Sequence, residues 1–373
     1  MYFKTENLSV GYSGKALIHD INLSVERGKI MTLIGPNGSG KSTILKTITK
    51  HLEKIAGVVT IENQNVSRLS NKELAKRLSV MLTERIEPEL MTCEQVVAMG
   101  RYPYTNYFGA LTTEDKRIVW ESLILVRGEE LADRPFTDIS DGQRQRIMLA
   151  RAICQQPQII VLDEPTSYLD IRHKIELLDI LRGMAAERQV AVVMSLHEID
   201  LAAKISDQII CVKGDRIELF GTPEEVFSDE RVSELYELQS GSFNTLFGSV
   251  ELMAPVGEPQ VFVLGGGGKG IPVYRFLQKH NIPFSTGVLF ENDVDMQVAT
   301  VLAADIVSAP PFSVIGDREI EEARHLIDQA NYCIDAGTPL GEQNKRFEEI
   351  MDYIRKQGKK CFTKEEAFQE ILN

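Results

Sequence analysis

The sequence lacks any uncharged apolar run approaching the ~18 residues that a membrane-spanning helix needs. Its first residues, MYFKTENLSV, carry no basic stretch followed by an apolar one. That start has none of the marks of an export signal, so the chain is expected to work in the cytosol. The five cysteines, Cys93, Cys154, Cys211, Cys333 and Cys361, are scattered without a CxxC pair. Such spacing excludes a disulfide framework or a zinc ribbon and suits a reducing compartment. Positive charge is also scarce, with 41 Lys plus Arg against 54 Asp plus Glu and a net charge of −13. The deficit is shared, −7 before residue 255 and −6 from there on. No basic block can hold nucleic acid by bulk charge, so an anionic ligand needs a local device.

What is present is a soluble globular composition, 43% hydrophobic and 25% charged, over 373 residues, too long for one ordinary domain. Residues 1–30 read as short strands broken by turns. The apolar run KIMTLIG then enters PNGSGKST and the helical ILKTITKHL. From about Glu84 to Phe136 the pattern is helical. QIIVLDEP and QVAVVMSLHE are wholly apolar runs with polar bounds, as buried parallel strands should be, and IRHKIELLDILRGMAAE between them suits a crossover helix. After Pro255, VFVLG, TGVLF, DIVSA, YCIDA and KKCFT alternate with helix-like segments, which describes a small doubly wound parallel sheet. The expected division is a first domain at 1–254 with a helical part near 84–156, a linker at 255–259 within APVGEP, and a second domain at 260–373.

Two motifs carry chemistry. Gly35-Pro36-Asn37-Gly38-Ser39-Gly40-Lys41-Ser42-Thr43 fits the phosphate-binding loop GxxxxGK[ST]. Its glycines let successive N–H groups point into one concavity at a helix N-terminus. Lys41 is expected on the β and γ phosphates and the Ser42 hydroxyl on Mg²⁺. The apolar strand Ile159–Leu162 then ends in two acids. Asp163 is placed to hold the metal, and Glu164 to polarise an attacking water as general base.

Between them, Ile139-Ser140-Asp141-Gly142-Gln143-Arg144-Gln145-Arg146 opens a helix. With this segment the sequence strongly resembles the ATP-binding-cassette (ABC) ATPases over roughly residues 1–250. The order of pieces matches: Tyr12 in an early turn, phosphate loop, helical insert, Ser-x-Gly-Gln signature, acidic strand, Ser167-Tyr168-Leu169-Asp170, and His197 after the next strand. The resemblance implies an α/β fold with a RecA-like P-loop core, an antiparallel β part and a helical subdomain. It also implies a head-to-tail homodimer with ATP between one phosphate loop and the other chain's signature. Tyr12 would then stack on adenine, while Ser140, Gly142 and Gln143 reach the γ-phosphate across the interface. His197 would hold the γ-phosphate and the water, and Asp170 would couple the two sites. Two positions depart from the family. Thr83, whose hydroxyl can still ligate Mg²⁺, stands where a glutamine that senses the γ-phosphate is usual, with Glu84 as the nearby longer polar candidate, and Asp141 stands in the signature where glycine is common.

Met99-Gly100-Arg101-Tyr102-Pro103-Tyr104-Thr105 resembles the helical subdomain of importer ATPases for iron–siderophore complexes, haem and cobalamin. SYLD and Gly221-Thr222-Pro223-Glu224-Glu225-Val226 suit the same group. The implied partners are two membrane permease subunits and, indirectly, an extracytoplasmic binding protein, with the ATPase peripheral on the cytoplasmic face. The alternatives are an importer for another substrate or a soluble cassette protein. Those soluble proteins usually carry two cassettes, a long coiled coil or a basic face, and none is visible.

Beyond Pro255, Val261–Leu264 runs into Gly265-Gly266-Gly267-Gly268-Lys269-Gly270. Gly265, Gly267 and Gly270 satisfy the dinucleotide spacing GxGxxG, and Glu291 ends the next strand where a ribose-binding acid is expected. The alternative is a tight turn without a ligand. Glu291, Asp293, Asp335 and the turn Ser308–Pro311 should share the carboxyl edge of a Rossmann-like sheet. A small anionic or nucleotide ligand is expected there, with a regulatory or dimerising role for the domain.

Overall fold

The computed structural model describes residues 2–82, 90–106, 109–238, 241–245 and 247–372. The chain forms two compact units, Met1–Tyr236 and Glu237–Asn373. Among the described residues no helix is long and apolar enough to cross a membrane.

The first unit is built around a six-stranded sheet in the order Arg216–Gly221, Gln208–Lys213, Ile30–Ile34, Ala191–Ser195, Ile159–Leu162, Leu78–Met81. All neighbours are parallel except the outermost pair, Gln208–Lys213 with Arg216–Gly221. The apolar runs are continuous because both faces are buried, and the pleat divides them between two cores. Ile159 and Val161 join Met31, Leu33, Ala191 and Val193 on one face. Ile160 and Leu162 join Ile30, Ile34, Val192 and Met194 on the other. The first core is closed by the helix Lys41–Ile48 and by an antiparallel sheet of Lys15–Ile21, Phe3–Tyr12, Ala56–Ile61 and Gln64–Asn65, with Ser24–Val25 paired to Phe3–Tyr12. The second core carries the helices Cys93–Ala98, Thr113–Leu125, Asp141–Cys154 and Ile171–Arg188.

Within the helical part, the segment Met99–Tyr104 is a 3₁₀ helix whose residues serve two ends. Arg101 is 4% exposed and pairs with the equally buried Asp115 at 2.8 Å. Its guanidinium also donates to the Cys154 carbonyl and lies 4.0 Å from the centre of the Tyr104 ring. Tyr102 and Met99 instead remain exposed. Arg101 and Tyr104 therefore hold the subdomain together, and only part of the motif is free for another surface.

The second unit has a fully parallel five-stranded sheet in the order Asp305–Ala309, Phe284–Phe290, Val261–Leu264, Tyr332–Asp335, Cys361–Thr363. These are the five strands expected from the sequence, and the order reverses direction at Val261–Leu264, as a doubly wound sheet requires. Val261 and Val263 face one core, Phe262 and Leu264 the other.

The boundary differs from the expected linker at 255–259. The hairpin Ser242–Asn244 with Ser249–Glu251 belongs to the second unit, so residues 237–254 leave the first domain. The reason is polar anchoring. Glu251, 4% exposed, pairs with Arg275 of the helix Ile271–Lys279. Gln278 of that helix also donates to the Met253 carbonyl at 3.2 Å.

Breaking the buried Arg101–Asp115 pair from one side leaves an uncompensated charge in the subdomain. Arg101→Ala is expected to cost about 3–5 kcal/mol in denaturant unfolding of the full chain. A loss under about 1 kcal/mol, the range of exposed pairs, would show that the pair is solvated.

Candidate functional site

The phosphate loop is where the sequence places it, between the strand Ile30–Ile34 and the helix Lys41–Ile48. Gly35 and Gly40 take φ of 145° and 93°, outside the comfort of other residues. A Cβ on Gly35 would sit 2.2 Å from the Val212 carbonyl oxygen, and one on Gly40 2.6 Å from Ile18 Cδ1. Both positions demand glycine. Pro36, Asn37 and Gly38 form the outer rim, with Asn37 exposed. Ser39 is 8% exposed, and its hydroxyl has no hydrogen-bond partner among the described residues. An orphaned buried hydroxyl beside free helix N–H groups fits a cradle for phosphate oxygens. Lys41 Nζ donates to the carbonyls of Gly35 and Pro36 at 2.8 and 2.9 Å. Burial pulls its pKa below the ordinary lysine value, and the charges of Glu164 and Asp163 oppose that shift.

The acidic strand end meets this loop. Asp163 is 1% exposed, and its Oδ1 accepts from Ser42 Oγ at 3.0 Å and from Ser195 Oγ at 2.7 Å. Ser42 and Asp163 thus present two hard oxygen donors side by side, which fits Mg²⁺ held with a nucleotide's phosphates. Among the described residues no group of three or more His, Cys, Asp or Glu could hold a metal by itself. A nucleotide-borne Mg²⁺ needs no such cage. Thr83 and Glu84, the other candidates near the metal, lie outside the described residues.

Glu164 has a φ of 51°, a costly backbone state for a non-glycine residue at a strand end. Its Oε1 pairs with His197 Nε2 at 2.5 Å, and its Oε2 accepts from Ser167 Oγ at 3.2 Å. The structure therefore brings Lys41, Ser42, Asp163, Glu164 and His197 into one site. Tyr12 stands at its edge, half exposed, with its hydroxyl 3.2 Å from Thr43 Oγ1.

The signature is not part of that cluster. Ser140 caps the helix Asp141–Cys154, its hydroxyl accepting from Gln143 N at 3.3 Å while Gln143 Oε1 accepts from Ser140 N at 3.0 Å. Among the described residues, Ser140, Gly142 and Gln143 make no hydrogen bond or ion pair with the phosphate loop. Asp141 is half exposed and faces Arg144 at 3.5 Å, which gives its charge a partner on its own helix. Asp170 caps the helix Ile171–Arg188 through His173 N at 2.9 Å. That bond, with the nearby His173 ring, lowers the Asp170 pKa.

In the second unit the glycine-rich turn, where an anionic or nucleotide ligand was expected, is partly occupied by the chain's own side chains. Its N–H groups are already engaged by carboxylates of the chain. Asp295, 0% exposed, accepts from Gly266 N at 2.7 Å, Gly270 N at 2.8 Å and Ile271 N at 3.1 Å. Asp293 accepts from Gly267 N at 2.7 Å. Asp295 occupies the role that a bound phosphate would fill, so the turn is closed from within. Burial raises the Asp295 pKa, and the three N–H bonds work against that rise. Glu291 is exposed, and its N–H bonds the Ala309 carbonyl. Asp335 caps its own turn through Gly337 N at 2.8 Å. The spacing GxGxxG could not reveal this, because the carboxylate arrives from a different helix.

Asp295→Ala would leave three N–H groups without an acceptor, each costing about 1–3 kcal/mol where water cannot reach it. Unfolding of the second unit is expected to lose about 3 kcal/mol or more, with Asp295→Asn milder because it keeps one acceptor oxygen. Equal stability of Asp295→Ala and the unaltered chain would show that water replaces the carboxylate.

Residues 18–167 match the ABC transporter family, and residues 284–371 match the MJ0874 family. The chain is 46% identical over 287 residues to the uncharacterized ABC transporter ATP-binding protein MJ0873 of Methanocaldococcus jannaschii, covering 77% of this chain and 99% of that one. It is 37% identical over 234 residues to the probable siderophore transport system ATP-binding protein YusV of Bacillus subtilis, 63% of this chain and 85% of that one. It is 30% identical over 324 residues to the cobalamin import ATP-binding protein BtuD of Halobacterium salinarum, 85% and 81% of the two chains. Among solved structures it resembles the cassette MJ0796, a dimer in a post-hydrolysis state with ADP and Pi. That likeness has a TM-score of 0.53 at 28% identity, over 59% of this chain and 98% of the other. With this phosphate loop, this acidic strand and these relatives, the chain belongs to the ATP-binding proteins of ABC transporters and is an ATPase.

Proposed function

We propose that the chain powers import of an iron chelate or a cobalamin-like metal complex, working as a homodimer on two membrane permease subunits at the cytoplasmic face. The observation that carries the engine is the convergence of Ser42 and Lys41 with Asp163, Glu164 and His197. The substrate class is supported by the siderophore and cobalamin systems named for two relatives. Tyr102 and Met99 are exposed on the helical subdomain, which supports a permease-facing role for them. The soluble alternative has no feature in its favour.

In this reading Tyr12 stacks on adenine, and Gly35 to Thr43 wrap the phosphates. Ser42 and Asp163 hold Mg²⁺, which neutralises phosphate charge when bound. Glu164 draws the proton of the attacking water, and His197 fixes both that carboxylate and the γ-phosphate. Ser140, Gly142 and Gln143 serve the partner's nucleotide, a reading supported by the absence, among the described residues, of any hydrogen bond from them to the chain's own loop. Asp170, exposed at the start of its helix, couples the two sites. The second unit is read as an appended regulatory domain.

Glu164→Gln keeps the size of the side chain and removes the base. It should bind ATP within a few-fold of the unaltered chain while turnover falls by about 10²-fold or more, accumulating an ATP-bound dimer on gel filtration. Near-normal turnover would remove Glu164 from the role. Lys41→Ala should fail earlier, losing ATP binding itself. Deleting the subunit should abolish growth on one class of chelated metal, and unimpaired uptake of iron chelates, haem and cobalamin would reject the substrate assignment.

A further inference from the structure

Beyond the ends of the neighbouring strands Ile159–Leu162 and Ala191–Ser195, the two chain segments stay joined, but by side chains. Ser195, 0% exposed, accepts from Glu164 N at 2.9 Å and donates to Asp163 Oδ1 at 2.7 Å. Two residues on, His197 pairs with the Glu164 carboxylate. One residue further, Glu198 Oε2 accepts from Thr166 Oγ1 at 2.9 Å, and its Oε1 pairs with Lys174 Nζ at 2.5 Å. Thr166 is 1% exposed, and Lys174 lies on the helix that Asp170 caps. The segment Ser195–Glu198 is thus sewn to the segment Asp163–Thr166. The reacting pair Glu164–His197 occupies the middle of the seam.

We infer that Ser195 and Glu198 are the positioning residues that hold the Glu164–His197 pair from either end. Ser195 works on the metal side. One hydroxyl fixes the rotamer of Asp163 and also ties down the amide of Glu164, whose φ of 51° needs outside support. Asp163 Oδ1 shares its lone pairs between Ser42 and Ser195, so the Ser195 bond helps to fix where the other oxygen points. Glu198 works on the far side. Its bonds to Thr166 and Lys174 fasten the turn after His197 to the turn that leads into Asp170. Neither residue needs to touch the nucleotide. Outer partners of this kind typically change metal affinity or activity about 10–100-fold when removed. The inference rests on the reading of Asp163 and Glu164 given above.

Two readouts separate the two ends. One is steady-state ATP hydrolysis by the full chain, and the other is binding of a fluorescent ADP analogue titrated with Mg²⁺. Ser195→Ala should lower kcat about tenfold or more, leave KM for ATP within a few-fold, and raise the half-saturating Mg²⁺ in the binding assay about tenfold. Ser195→Thr, which keeps the hydroxyl, should recover most of both. Glu198→Gln should lower kcat while the Mg²⁺ titration stays at the unaltered value, because that end does not touch Asp163. A Ser195→Ala chain with unaltered kcat and Mg²⁺ dependence overturns the inference. So do two variants that lose melting temperature, Mg²⁺ dependence and kcat in parallel, since that is a shared folding defect. If Glu164→Gln itself keeps normal turnover, the reading of the acids falls, and not merely the positioning role.

Discussion

A single buried carboxylate joins the two halves of the ATP site. Asp163, 1% exposed, is reached by Ser42 from the phosphate loop and by Ser195 from the next strand. A carboxylate so far from water needs hydrogen-bond partners, and both hydroxyls donate to its Oδ1. The same bonds set the spacing between the loop that wraps phosphate and the strand end that carries Glu164. Sheet order makes this possible. Ile30–Ile34 and Ile159–Leu162 flank Ala191–Ser195, so Ser42, Ser195 and Asp163 emerge at one carboxyl edge.

Much of this was legible because it is local. GPNGSGKST specifies a turn, a helix start and a charge within nine residues, and the apolar runs at 159–162 and 191–195 have the pattern of strands buried on both faces. The five strands of the second unit were readable for the same reason. Ser195 was not, since one serine at the end of an apolar strand carries no pattern. Its meaning comes from Asp163, which pairing of the two strands brings alongside. Arg101 likewise read as part of a surface motif, and only the packing of Asp115 against it reveals a buried pair.

The two glycine-rich turns of the chain show how far a motif alone can carry. Both follow a buried strand and start a helix, and both hold several glycines at positive φ. In the first, a lysine approaches the concavity and a serine hydroxyl has no partner among the described residues. In the second, Asp295 fills the concavity with the chain's own negative charge. The N–H groups are equally suited to an anion in both cases. What differs is whether a side chain from another helix has taken the place first. The domain boundary was misplaced for a related reason, because Glu251 is committed to Arg275 by a contact that composition does not encode.

We propose that a complete catalytic site takes the phosphate loop of one copy and the signature of another. Ser140 and Gln143 bond each other within their own helix cap, and among the described residues neither bonds Lys41 or Glu164. Mixing two inactive chains tests this directly: one carries Lys41→Ala and the other carries Ser140→Arg. In a mixed dimer one site holds both lesions and the other holds none. Each chain alone should be inactive, and mixing should restore ATP hydrolysis well above the sum of the two. A mixture no more active than its parts, or a Ser140→Arg chain that hydrolyses ATP normally by itself, would contradict it.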